Sequence, residues 1–434
     1  MQFFSGTWLV DGADPTFDLS PGVTLVIQPG RQGQVFGSPS FLQLGGGGNL
    51  ILGPGSYLTG WKSALGVLDG STLTIGDRAW LANSTDIVLG ADGTNTTLRY
   101  IDDRPVTFFG VLNVGAVGAI STIDISSAGQ PTGALTISGG IQGDGDLRIF
   151  NSSLAAAGTV TLNFANGGSY GGALVLDGAN VRLNTANGIG AQLVVQNESR
   201  LTFGSSMTFG AAQEMLLADN LQLRGATGAE RVIWNGKIDA GGKILELDQI
   251  QLTTSPTADL SGPGNILLNP GGILDLNGAS ATDWTVIGNG GLLSGPGAVN
   301  TIGGSGAGGF NGTIQFGNGT TRGTLQVTGN ANLGDAFLES MMYAGSGTAD
   351  VLDVGGALTG LAQSSVDMIY NATTSGGPLI PANGASTTYT VISANTMPNE
   401  KPKELAVTLI DPLNNNYSIL LLDPSNPNTT ASGA

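Results

Sequence analysis

Apolar residues along this chain come in runs of three to five, alternating with polar ones and rich in Val, Ile, Leu, Thr and Phe. Asn49–Leu52 (NLIL), Thr72–Ile75 (TLTI), Ala134–Ile137 (ALTI), Gln192–Val195 (QLVV) and Thr324–Val327 (TLQV) are examples. A period of two places alternate side chains on opposite faces, so the pattern predicts short strands. Most runs close on GPG, DG, NG or GG, residues that accept the tight backbone of a turn. Two stretches carry residues suited to a helix, Gly210–Leu223 (GAAQEMLLADNLQL) and Asp335–Ala344 (DAFLESMMYA), though neither is capped at both ends.

A degenerate repeat runs through the strands: aliphatic, any residue, aliphatic, a turn, then another aliphatic eight residues after the first. It places Phe17/Leu19/Leu25, Leu50/Leu52/Leu58, Leu73/Ile75/Leu81, Leu193/Val195/Leu201, Ile266/Leu268/Leu274 and Leu325/Val327/Leu333 in equivalent slots. Strand–turn–strand units with inward aliphatics and small corner residues suit a parallel β-helix, where each coil stacks on the last. With coils of about 20 residues, the short end of the range for stacked repeats, the chain makes on the order of 20 coils. At about 4.8 Å per coil this is a rod on the order of 100 Å long. A pair of antiparallel β-sandwiches would show similar short strands. Abundant glycine and asparagine with few aromatics favours the solenoid. The reading is therefore all-β: a right-handed parallel β-helix with a C-terminal β capping module. Residues 1–30 form an N-terminal cap or first strand, 31–322 the body, 323–423 the last coils and cap, and 424–434 a flexible tail.

Composition narrows the chemistry more than the fold. Of 434 residues 72 are glycine, yet without an every-third-residue period they do not make a collagen. A hydrophobic share of 40% is enough to offset the entropy of folding. Neither cysteine nor histidine occurs, which removes disulfides, thiolate and Ser-His-Asp catalysis, and the usual zinc sites. The balance of 15 basic against 32 acidic residues, −17 in all, argues against nucleic acid and anionic membranes as partners. No apolar stretch is long enough to span a bilayer, and the first residues lack the basic and apolar regions of a signal peptide.

Several phrases resemble a known family. GTLQVTGNANLGDAFLE (Gly323–Glu339), GTADVLDVGGALTG (Gly347–Gly360), PLIPANGASTTYTVISANT (Pro378–Thr396) and YSILLLD (Tyr417–Asp423) occur in that order. They are similar to the C-terminal part of autotransporter passenger domains and related secreted bacterial β-helix proteins. Gly139–Asn151, Gly158–Asn184 and Gly188–Phe203 are similar to the passenger-associated repeat, so the resemblance runs from about Gly133 to Asp423. It implies last coils followed by a capping module, and exposure at a cell surface. The family pattern continues into a transmembrane barrel, whereas this sequence ends in the polar DPSNPNTTASGA.

Candidate chemistry is sparse. Asp102 and Asp103, beside Arg104, are the best carboxylate pair for glycoside hydrolysis, although neighbouring strand residues point to opposite faces. A solvated Asp–Arg turn is the simpler reading. Asp144 and Asp146 in GGIQGDGDL hint at a calcium-binding turn but occur once and out of the tandem spacing, so a Gly-Asp corner is the simpler reading there too. Trp8, Trp61, Trp80, Trp234 and Trp284 would serve as sugar-stacking platforms if they faced outward, and otherwise as caps or anchors. Lys401 and Lys403, balanced by Glu400 and Glu404, read as an exposed loop. No cofactor is implied, with calcium the sole ion in question.

These observations point to a non-enzymatic extracellular protein, a surface adhesin or a self-assembling surface-layer or filament subunit. Its partners would be copies of itself or a host-surface glycan or protein receptor, with neither nucleic acid binding nor membrane insertion. The end pieces of the solenoid are the expected contacts: Phe3, Phe4 and Trp8 at one end, Tyr389, Val391, Tyr417 and Ile419 at the other. The alternative is a virion component, a tail fibre, spike or capsid decoration, motivated by a Met1 that follows no export signal. A carbohydrate-active enzyme is the third reading.

Overall fold

The computed structural model describes residues 2–4, 6–9, 16–36, 41–59, 64–76, 79–81, 86–101, 106–125, 134–151, 159–162, 170–303, 308–317, 322–343, 348–371, 390–396, 402–410, 420–422 and 430–432. These form strands, turns and two short 3-10 helices, Ala186–Ile189 and Leu361–Gln363. Two compact units divide the chain: Met1–Thr253 with Thr257–Asn265, and Thr254–Pro256 with Ile266–Ala434.

The first unit is a parallel β-solenoid, as the strand pattern implies. Twelve strands, from Gln2–Phe4 to Leu260–Ser261, build one continuous face. In the opening coils a second face holds Gly6–Leu9, Gln32–Phe36, Tyr57–Thr59 and Trp80–Leu81. A third holds the strands from Thr16–Asp18 to Ile141–Gln142. The eight-residue repeat thus bridges a corner: Leu50 and Leu52 lie on the first face and Leu58 on the second. All three are at most 2% exposed.

Register gives the core its order. Leu25 pairs with Leu50, Leu50 with Leu73, Leu73 with Leu98, Leu98 with Ile123, Ile123 with Ile149, Ile149 with Leu176, Leu176 with Val195 and Val195 with Leu217. None of this aliphatic column is more than 7% exposed. Burying each such side chain contributes about 1.5–3 kcal/mol, and because each slot sits over its equivalent, the coils must keep register or lose the column. Coil length still varies: Ala173 lies over Gln192 in a short coil, whereas Leu147 lies over Leu174 in a long one. Most coils are longer than the sequence pattern leads one to expect, and so fewer, because three strands with their corners fill each turn of the opening stack.

Corners are tied by short polar side chains, which satisfies backbone donors that no strand pairs. Asp86 accepts from Val111 N–H (2.7 Å), Asn95 from Ile120 N–H (2.8 Å), Asp146 from Ala173 N–H (3.0 Å) and Asn220 from Ile244 N–H (3.0 Å). Each bond joins one coil to the next, so these residues do in the corners what ladder hydrogen bonds do in the strands.

Both stretches with helical composition are strands. Gly210–Leu223 contains Glu214–Leu217 and the start of Leu221–Gly225; Asp335–Ala344 contains Ala336–Tyr343. Met215 and Leu217 point inward, as do Ala336, Leu338 and Ser340, so the period is two and the neighbouring coils override helix propensity.

The second unit is also built on parallel pairing. Thr324–Val327 pairs with Val351–Thr359, which pairs with Ile392–Thr396. Ala336–Tyr343 pairs with Ser365–Asn371, and that with Glu404–Ile410. Sequence separation grows along the unit: Leu352 reaches further along the chain for its partner Ile392 than Thr324 does for Val351. Met342 and Ala349 form an antiparallel contact within one coil, and Leu420–Leu422 pairs antiparallel with Thr430–Ser432.

Candidate anion-binding face

One outer face of the first unit gathers three arginines from three successive coils. Four successive strands build it: Asn180–Leu183, Ser199–Phe203, Leu221–Gly225 and Ile244–Asp248. Alternation turns Val181, Leu183, Leu201, Phe203, Leu221, Leu223, Leu245 and Leu247 inward, each 0% exposed. The intervening residues face outward in two columns. Asn180 pairs with Arg200, Arg200 with Gln222 and Gln222 with Glu246; beside them Arg182 pairs with Thr202, Thr202 with Arg224 and Arg224 with Asp248. Arg182, Arg200 and Arg224 thus zigzag across three coils, rising about 4.8 Å per coil. They line an open groove of about 320 Å³ with Asn180, Thr202, Gly225 and Ala226.

The ion pairing of these arginines differs from that on the neighbouring face. There Arg99 meets Asp124 at 2.8 Å, and Arg148 meets Asp177 while lying over the Phe150 ring. Both carboxylates are nearly buried, so those charges are neutralised in place. In the groove Arg182 Nε donates to Asn184 Oδ1 (3.2 Å) and Arg200 Nε to Gln222 Oε1. Among the described residues neither forms an ion pair. Arg224 makes a long contact with Asp248 (3.5 Å), and Gln222 Nε2 donates to Glu246 Oε1 (2.8 Å), so the groove grades from basic to acidic over the fourth strand.

A buried carboxylate anchors the loop at the groove's edge. Glu230, 5% exposed, accepts from Thr227 N–H, Thr227 Oγ1 and Gly228 N–H at 2.8–3.1 Å. Burial alone would raise its pKa; the hydrogen bonds from Thr227 and Gly228 outweigh that and hold the carboxyl below its ordinary value.

The residues singled out in the sequence lie elsewhere. Phe3 and Phe4 sit on the first strand opposite Val26 and Ile27, and Trp8 on the next opposite Val35. Val391 is half-buried and its carbonyl accepts Leu352 N–H (2.9 Å). Tyr389, Tyr417, Ile419, Asp102, Asp103, Trp61 and Lys401 fall outside the described residues. Asp144 is exposed at a corner, while Asp146 holds Ala173 N–H. Among the described residues no three acidic, histidine or cysteine side chains gather as a metal site. Trp234 and Trp284 are 0% exposed, so they are core residues and not sugar platforms. Trp234 stacks against Phe209 (4.6 Å between centroids) and donates to Lys237 O (3.1 Å).

Sequence reasoning missed the three arginines. The signal that marks them is an arginine in an outward strand slot beside an inward aliphatic, NVRL, SRLTF and LQLRG, recurring once per coil. Recognising it requires the register, which an irregular coil length conceals. No known protein-family model matches the chain, and no curated protein matches it.

Proposed function

We propose that this chain is a non-enzymatic structural or adhesive β-helix of a bacterial surface, akin to autotransporter passengers, and that it works through its repetitive outer faces. The observation that supports this most is the register of the second unit. The phrases that resemble passenger domains, GTLQV, ADVLDVGGALT and the ISANT that ends the third, lie on three successive parallel strands, Thr324–Val327, Val351–Thr359 and Ile392–Thr396. Their order along the sequence is the order of the stack, as coils ending a passenger require. A C-terminal cap following Glu404–Ile410 belongs to the same reading. Stacked coils also suit contact over activity: they repeat one outward chemistry at a fixed pitch and anchor it on a packed aliphatic core.

The test is a glycan panel read in two ways with the purified chain, for retention and for release of reducing ends or unsaturated sugars, with light scattering in parallel. Retention or self-association without turnover is the expected result. Sustained turnover of any polysaccharide overturns the proposal, and a discrete trimer without retention would favour the virion alternative.

A further inference from the structure

We infer that the groove of Arg182, Arg200 and Arg224 binds an acidic polysaccharide, a linear chain of sugars bearing carboxylate or sulfate groups. This deepens the adhesive reading and rests on it, naming the class of ligand and the face that takes it. Three observations carry it.

The first is free charge. Arg182 and Arg200 spend one hydrogen bond each on the neutral side chains of Asn184 and Gln222, whereas Arg99 and Arg148 are held by nearly buried aspartates. A guanidinium engaged through Nε alone keeps its terminal N–H groups available for a forked contact with a planar or tetrahedral oxyanion.

The second is spacing. Register places the arginines on consecutive coils in two alternating columns, so anionic groups along an extended chain meet a cation at each step of about 4.8 Å. Between them lie Asn180 and Thr202, whose amide and hydroxyl suit hydrogen bonds with sugar hydroxyls. Gly225 and Ala226 complete the lining, and the inward halves of the same strands are fully buried, so the floor is preorganised.

The third is the surrounding field. Duplex DNA presents a charge about every 1.7 Å and would extend past three arginines onto Glu246, Asp248 and a molecule of net charge −17. A polysaccharide charged once per sugar or less fits the local patch without that penalty.

The experiment measures binding of the full chain to polygalacturonate, chondroitin sulfate, neutral dextran and a double-stranded DNA oligonucleotide, at low and high salt. The expected result is binding to polygalacturonate or chondroitin sulfate that weakens with salt and falls about tenfold or more in R182A/R200A, the scale of a lost charge-assisted contact. R182K/R200K should recover part of it, and R31A, an exposed arginine distant in sequence, should leave it unchanged. Circular dichroism matching the wild type establishes that the variants fold; if the alanine pair does not, R182Q/R200Q takes its place. Failure to bind either acidic glycan, equal binding by the double variant, or tighter binding to DNA would each overturn the inference. Retention of dextran or another neutral glycan, with no binding of either acidic glycan, would overturn this site yet leave the adhesive reading standing.

Discussion

Asp350 and Glu230 are both buried carboxylates, and their surroundings drive them in opposite directions. Asp350 is 1% exposed and accepts from Gly323 N–H (2.6 Å) and the Tyr343 hydroxyl (3.2 Å). Burial outweighs those bonds and holds its carboxyl above the ordinary aspartate value. The native state therefore binds this proton more readily than the unfolded chain does. Its contribution to stability is complete below the ordinary value of 3.8 and declines as pH rises through the native one. Glu230 has the reverse sign: its contribution is present above the ordinary value of 4.5 and is lost as pH falls through the lowered native value. In urea titrations E230Q should cost about 1–3 kcal/mol near neutrality, the scale of a buried group left badly paired, and the gap should close in acid. For D350N the wild type should lose ground against the variant as pH rises from about 4. Parallel pH profiles for wild type and variant would contradict either assignment. That Asp350, within the ADVLDV phrase, ties the start of GTLQV to Tyr343 was not legible in the sequence, because Gly323 belongs to the preceding coil.

At the scale of the element, the strands were legible and their partners only partly. Period-two alternation located NLIL, TLTI, QLVV and TLQV, and the eight-residue phrase marked where the chain turns from one face to the next. The same alternation was present in EMLL and AFLESMMY, but Glu, Met, Leu and Ala favour helices in isolation and only the flanking coils settle the conformation. GGIQGDGDL reads as a Gly-Asp corner, and its glycines answer a steric demand that the sequence does not display: Gly143 has φ +106°, and a Cβ there would lie 1.8 Å from Val114 O in the preceding coil. Gly143→Ala should therefore lower stability by more than ~1 kcal/mol, since neither the dihedral nor the stacked backbone can give. Val117→Ala, at an 81% exposed position on a nearby corner, should change it by less than about 0.5 kcal/mol. Equal denaturant midpoints for the two variants would show that the coils are not packed corner on corner.

At the scale of the molecule, the absent histidine and cysteine excluded much chemistry, and net charge suggested a partner only in negative terms. A mean charge conceals a local one: the acidic balance of the whole says nothing of three arginines brought onto one face by successive coils. That grouping, the proposed surface role and the glycan inference all presuppose parallel coils in register. Because the chain has no native cysteine, paired nitroxide labels can be placed without background. Thr97→Cys with Thr122→Cys in the first unit, and Thr313→Cys with Phe337→Cys in the second, put labels on directly opposed residues of neighbouring coils. Strong dipolar broadening for both pairs, as for labels one strand spacing apart, is the result the stacked-coil structure requires. Spectra of both pairs that match the sum of their single-label spectra would contradict it.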